Sequence, residues 1–518
     1  MKKRIIIILM CLTLVCALTA CNLAELEMGG LIGELLGDAE LPSGDPSDSF
    51  ITVYPTPNGT DISVLPPIEI APDDWTEDSY IESETAMPSV DLPQHAYAEQ
   101  RLTLLGVLDS DLGIDDSVDI VQSLSYNRNV AMKNVYSLEV DTVLVESDDE
   151  LARQVRNDVT ADGNAYHLIF GTIYQSGAEL TQIGCLANLN NLPWVDLTHS
   201  RWDEDIYNGF AIGNYLPMAT GAITPDATMK TAIIAFNPNI ANQMGLDMYD
   251  YVQTGGWTLE KMLSISEEVY ADLNGDGLSN PTKDRFGFVG NFTSAQAFAC
   301  GTGAEVIVKG ENHLPMVNVQ TEQLRESFAV VYKLVHARST HYVPQSTVLQ
   351  DYDQLYAPAQ TFAQGRALFC ATNVEQAMTL IEDSQAFGIL PYPCWEMDGE
   401  YHSLVDFSAT ALMVHKGMED EEFAGYALEA MAQVSEQVYP DRIAMKICTS
   451  PNDAEMLQLV LDTKTFDFGS NYFSKSRGDM VWLFRHMIET GQTDVGSLLT
   501  KNQKVLQKEV LKIQANYE

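Results

Sequence analysis

Leu259, Met262, Leu263, Val269, Tyr270 and Leu273 recur at the spacing of one helical face, beginning just after Thr258. Thr258 is placed to cap that helix and Asn274-Gly275 to end it, because glycine takes a left-handed backbone without strain. The run Phe286 to Val289 then predicts a short strand. Upstream, Arg101 to Leu108 reads as a buried strand and opens the globular part. A helix from Ser125 feeds a strand around Tyr136 to Val140. Val143 to Val145 give a second strand, Leu151 to Val159 a helix, and Tyr166 to Phe170 another strand. Strands alternating with helices predict a parallel sheet with right-handed crossovers.

The same alternation continues downstream. Thr231 to Phe236 predicts a strand, Leu324, Phe328, Val331 and Leu334 a helix, and Gln364 to Cys370 a strand. Phe387 to Pro393 and Ser408 to Val414 follow as extended segments. Phe423, Tyr426, Ala427, Ala430, Met431 and Val434 then mark one helical face. Helices from Met480 and from Val495 close the chain.

The amino terminus breaks this pattern. Lys2-Lys3-Arg4 precede an apolar run from Ile5 to Leu18, which is too short to span a bilayer and has the build of a secretory signal. Residues 22–97 hold no Lys or Arg, but 16 Asp or Glu and nine prolines. Such a segment cannot bury enough apolar surface to offset its ordering entropy, so residues 21–97 are expected to form a tether. As a flexible coil it would reach about 50 Å, more if its charges repel.

Charge narrows the partners. Of 29 Lys and Arg, three lie in residues 1–20; the remaining 26 face 73 Asp and Glu, a formal charge of −47. Nucleic acid and anionic lipid would be repelled. Beyond the signal and Cys21, five cysteines remain, Cys185, Cys300, Cys370, Cys394 and Cys448, without metal-type spacing. They read as small buried hydrophobes, with one disulfide left open.

Several motifs carry a resemblance. Trp257 before the capped helix, Asn274-Gly275-Asp276-Gly277, and Asp284-Arg285-Phe286-Gly287-Phe288 resemble the middle of family 1 extracellular solute-binding proteins, the maltose-binding-protein-like receptors of ABC importers. Ser125-Tyr126-Asn127-Arg128-Asn129 resembles the opening of larger members. Leu189 to Trp194 is similar to the family's element ending in Pro-Trp-Trp, with Val195 in place of the second aromatic. Thr231 to Pro238 resembles the first crossing between lobes, with Ala235-Phe236 where an aromatic pair is usual. Gln364 to Cys370 and Phe387 to Pro393 resemble a second-lobe strand and the return crossing. Leu18-Thr19-Ala20-Cys21 resembles the bacterial lipobox, which implies cleavage before Cys21 and lipid on that residue, with the protein held outside the cell membrane.

The resemblance covers about Arg101 to Glu518 and implies an α/β, two-lobed periplasmic-binding-protein-like fold with mainly parallel sheets joined by hinge crossovers. Residues 98–225 plus 388–436 would form the first lobe, and 226–387 plus 437–518 the second. The implied function is capture of a small solute, a carbohydrate for preference, for delivery to ABC permease subunits by a monomeric receptor. A peptide or a polyamine would suit the same fold. Ligand contacts are expected at Tyr174, Gln175 and Trp194 from one lobe, and at Trp257, Asn373 and Glu375 from the other. Tyr392, Trp395 and Asp406 are expected near the hinge. For Trp194, Trp202, Tyr207 and Trp257, core packing competes with ligand stacking.

Enzyme signatures are missing: there is no GxSxG, HExxH or P-loop. A carboxylate pair for glycoside hydrolysis stays open, since its separation is set by the fold. A cell-surface adhesin would use the same anchor and tether but needs no two-lobed body. No cofactor is required. One candidate cation site exists: Asp272, Asn274, Asp276 and Asn280, with Asp284, place oxygens like the first part of a calcium-binding loop, although Lys283 stands where that loop wants an acid.

Overall fold

A computed structural model describes residues 92–518, apart from residues 99, 116–119, 319–321, 383–385, 418–419, 439–441 and 518. The signal segment, Cys21 and the tether up to residue 91 lie outside the described residues.

The first sheet grows from β1 (Arg101–Gly106), where Leu102, Leu104 and Leu105 are fully buried. It pairs in parallel with β2 (Glu139–Leu144), Leu104 facing Thr142, and with β3 (Leu168–Thr172), Leu105 facing Ile169. Where the pattern predicts two strands, the structure has one, because Tyr136 still belongs to the helix Ile120–Tyr136, which ends at the left-handed Ser137 (φ 57°). β13 (Thr410–Val414) runs antiparallel to β3, and β4 (Met218–Ala219) antiparallel to β13.

Besides the antiparallel pair β7 (Ile307–Lys309) and β8 (Pro315–Val317), a second sheet lines up β11 (Gly388–Leu390), β5 (Ala232–Phe236), β10 (Ala367–Asn373), β6 (Phe286–Asn291) and β9 (Thr340–Val343) in that order. β6, β9, β10 and β11 point one way, and β5 runs against its neighbours β10 and β11. The helix Leu259–Val269 packs on β6, capped by Thr258 Oγ1, which accepts the Lys261 amide at 3.2 Å. Close approach there requires Gly287, since a Cβ would stand 2.1 Å from the Ser266 carbonyl oxygen. This helix stops at Val269, short of the expected Asn274. Arg285 Nε donates to the Val269 carbonyl (2.9 Å), Ala271 bridges back to Arg285, and Leu273 is left exposed.

Three chain segments run side by side between the sheets. The first includes the helix Pro225–Met229 and reaches β5. The second is β12 (Ser403–Leu404) and the residues after it. The third is β14 (Lys464–Thr465), paired in parallel with β12. Thr231 bridges Val405, and the Asp406 amide donates to the Lys230 carbonyl at 3.1 Å. The return crossing therefore falls at 403–410 rather than at 387–393, because β11 is still part of the second sheet. Asp205 ties the third segment to the first lobe by accepting the Phe466 amide (2.9 Å), and burial pushes its carboxyl up to about 6.

The helix Val495–Gln514 begins where the pattern places it, but the one expected from Met480 does not. Met480 lies near the end of the helix Phe468–Val481, which kinks at Arg477, and Trp482 turns the chain into the helix Leu483–Thr490. The five cysteines are free thiols, four of them buried. Among the described residues no helix is long and apolar enough to cross a membrane.

Candidate functional site: the cleft at the strand ends

The carboxyl end of β3 is held open by hydrogen bonds. Past Thr172 the backbone makes one π-helical turn, Ile173–Gly177, a distortion frequent at functional sites. Asp148 Oδ1 accepts the Thr172 amide (2.9 Å) and the Ser176 hydroxyl (2.6 Å), and the Tyr174 amide donates to the Phe407 carbonyl (3.2 Å). Tyr174 is thereby fixed against the hinge, its hydroxyl hydrogen-bonded to Gln175.

From Tyr174 a run of aromatic rings crosses to the second sheet. Tyr174 meets Phe407 edge-on (5.0 Å, 80°), and Phe407 stacks on Trp482 (5.0 Å, 26°). The Arg485 guanidinium lies 4.6 Å over the Trp482 ring and 4.7 Å over Phe292, the residue after β6. Trp482 is the capping residue before the helix Leu483–Thr490, and Arg485 stands in that helix's first turn. Burial lowers the Arg485 guanidinium from its ordinary value, against the opposing pull of Glu489, Tyr342 and Asp406.

Charged groups border this run. Lys230 Nζ pairs with Asp226 (3.1 Å) and donates to the Ser408 carbonyl (3.0 Å). Burial would pull that ammonium down, but Asp226, Asp406 and Glu375 outweigh it and hold it above its usual value. Glu375 is exposed in the first turn of the helix Val374–Glu382, which Asn373 caps by accepting the Gln376 amide at 2.8 Å. Asp111, after β1, is buried; burial and then Asp226 raise its carboxyl.

Buried polar atoms without a protein partner gather on these elements: Thr172 Oγ1, Tyr342 Oη, Ser474 Oγ, Arg477 Nε and Trp482 Nε1. A buried polar group left unpaired costs about 1–3 kcal/mol, so each of these atoms has reason to take a partner from solvent or a ligand.

Tyr174, Gln175, Asn373, Glu375 and Asp406 thus stand at or beside the strand ends, whereas four expected contacts do not join them. Trp257 is wholly buried, its Nε1 donating to the Pro391 carbonyl (2.9 Å) and its ring against Phe369. Tyr392 is buried against Phe298. Trp194 sits at the opposite end of the first sheet, edge-on to Tyr426, which also meets Tyr136 at the amino end of β2. Trp395, half-buried, follows Cys394, whose carbonyl accepts the Leu259 amide; it belongs to the start of the 259–269 helix and not to the hinge. Trp202 is buried, and Tyr207 donates to Asn190. Phe292, Tyr342, Phe407, Trp482 and Arg485 escaped sequence reading. Phe407 beside Asp406, and the Trp-x-x-Arg spacing, were the available signals.

The 272–284 loop uses its oxygens internally. Asp272 accepts the amides of Gly275 (2.7 Å) and Gly277 (2.8 Å), Asp276 Oδ1 that of Leu278 (2.8 Å), and Asn280 Oδ1 that of Thr282 (2.9 Å). Buried Asp284 takes the amides of Leu273 and Asn280, and Asn274 donates to Asp276. These contacts close a turn around the loop. Among the described residues no group of three or more His, Cys, Asp or Glu is arranged to hold a metal.

Two α/β lobes, joined by three adjacent segments with their strand ends turned to a common cleft, define the periplasmic-binding-protein-like architecture. No family model matches the chain, and no curated protein does. Solved structures do. UspC of Mycobacterium tuberculosis superposes with TM-score 0.53 at 14% identity, covering 79% of this chain and 99% of that one. The sugar-binding protein MalE of Xanthomonas citri gives 0.53 at 13%, with 80% and 98% covered. A family 1 extracellular solute-binding protein of Bifidobacterium longum subsp. infantis gives 0.51 at 14%, with 79% and 100% covered.

Proposed function

We propose that this chain is an extracellular receptor, anchored through lipid on Cys21, that closes on a small carbohydrate and presents it to an ABC import permease. One observation carries the reading: the aromatic run Tyr174–Phe407–Trp482 with Arg485, laid across the strand ends of both lobes among unpaired polar groups. Sugar CH faces stack on rings while hydroxyls satisfy buried donors and acceptors. Side-by-side connections hinge, and closure would bury the solute between the lobes. The fold shared with the MalE protein supports the same reading.

Titration with a panel of mono- and oligosaccharides, followed by tryptophan fluorescence and small-angle scattering, tests it: the ligand should shrink the radius of gyration. Peptides that close the lobes where sugars fail would keep the receptor and change its ligand class. If nothing closes them, the transport role falls. Cys21→Ala should release the protein from bacterial membranes, since two acyl chains on one residue hold where one does not.

A further inference from the structure

Arg485 has an unusual position for a base in this chain. The chain holds 73 acids to 29 bases, yet Arg485 rests against two ring faces, and among the described residues it makes neither a hydrogen bond nor an ion pair. The carboxylates that influence it are engaged elsewhere. Glu489 accepts the amides of Gln345 (2.5 Å) and Ser346 (3.4 Å), and Asp406 Oδ1 accepts that of Ser408 (2.8 Å). Two more buried groups that can donate, Trp482 Nε1 and Tyr342 Oη, lack partners in the same region. The rings hold the guanidinium in place, and its N–H donors have no protein acceptor among the described residues.

A hydroxyl offers such a fork one oxygen without charge, whereas a carboxylate offers two coplanar acceptor oxygens with opposite charge. We infer that the solute carries a carboxylate, as a uronic-acid residue of a saccharide does, and that Arg485 receives it. Trp482 and Tyr342 serve as further donors, and the sugar ring stacks beside them. This rests on the carbohydrate reading above and narrows it to acidic sugars. Asp406, which lies close enough to act on Arg485, would then accept from a hydroxyl of the same ligand.

The test uses the chain from residue 21 onward, titrated by calorimetry with uronic-acid disaccharides of the galacto, gluco and manno series, with their neutral counterparts, and with hexose 6-phosphates. At least one uronate should bind about tenfold or more tighter than its neutral counterpart, the scale of one charge-assisted hydrogen bond. That preference should shrink with added salt. Arg485→Gln should erase it, and Arg485→Lys should restore part of it, with circular dichroism melts confirming folded variants. The wild-type preference alone decides the matter if a variant fails to fold. Neutral sugars binding as tightly as uronates, or Arg485→Gln keeping the preference, would overturn the inference and leave the sugar receptor standing. Preference for the hexose phosphates would overturn the carboxylate. If no saccharide binds at all, the carbohydrate reading falls with it.

Discussion

Residues 255–290 and residues 468–490 differ in how openly they state their role. The first stretch has a capped helix, a periodic apolar face, a glycine turn and a strand, each agreeing with the next, and it folds into second-lobe core. The second has a helix kinked at Arg477, followed by a turn at Trp482, and it supplies two of the cleft's principal side chains. Agreement among local signals marks packing. The proposed ligand surface lies where a regular pattern is interrupted, because interruption leaves rings and charges unspent on the core.

The contrast is sharpest between two tryptophans. Trp257→Ala should cost about 3–5 kcal/mol in urea unfolding, as wholly buried aromatics do, and leave ligand selectivity intact in whatever folds. Trp482→Ala should invert that outcome, weakening ligand binding by about 1 kcal/mol or more with a smaller loss of stability.

Asp205 tests the third connecting segment. Its folded value, about 6, lies above the ordinary aspartate value of 3.8, so its contribution is fully present below the unfolded value and is lost as pH rises through 6. The penalty on ionising it is at most about 3 kcal/mol. Asp205→Asn should flatten the melting temperature between about pH 4 and 7 relative to wild type; an unchanged profile would remove Asp205 from the account.

Smaller effects close the series. Thr258→Ala should cost about 1 kcal/mol through the lost cap, read by thermal melting. Chelator followed by calcium should leave the melting temperature unmoved, because the 272–284 loop oxygens hold its own amides; a calcium-dependent rise would restore the cation site.

Much of the fold was legible, since strand and helix periods survive in β1, β3, β6 and the 259–269 and 322–336 helices. What escaped depends on distant residues. Arg285 ends a helix by reaching back to Val269, and β11 stays in the second sheet by pairing with β5. The proposed site was harder: Tyr174 lies in a loop after a parallel strand, where such folds place ligands, and Glu375 lies in the loop that the resemblance singles out. Trp194, Trp257 and Tyr392 show that an aromatic's type does not reveal which side of a lobe it covers. Trp482 becomes a cleft residue only when the hinge brings Phe407 beneath it.

The most direct test of the cleft assignment is the ligand-induced tryptophan fluorescence change measured in Trp482→Phe and Trp194→Phe. The change should vanish in Trp482→Phe and persist in Trp194→Phe; a signal lost with Trp194 and retained without Trp482 would place the site elsewhere.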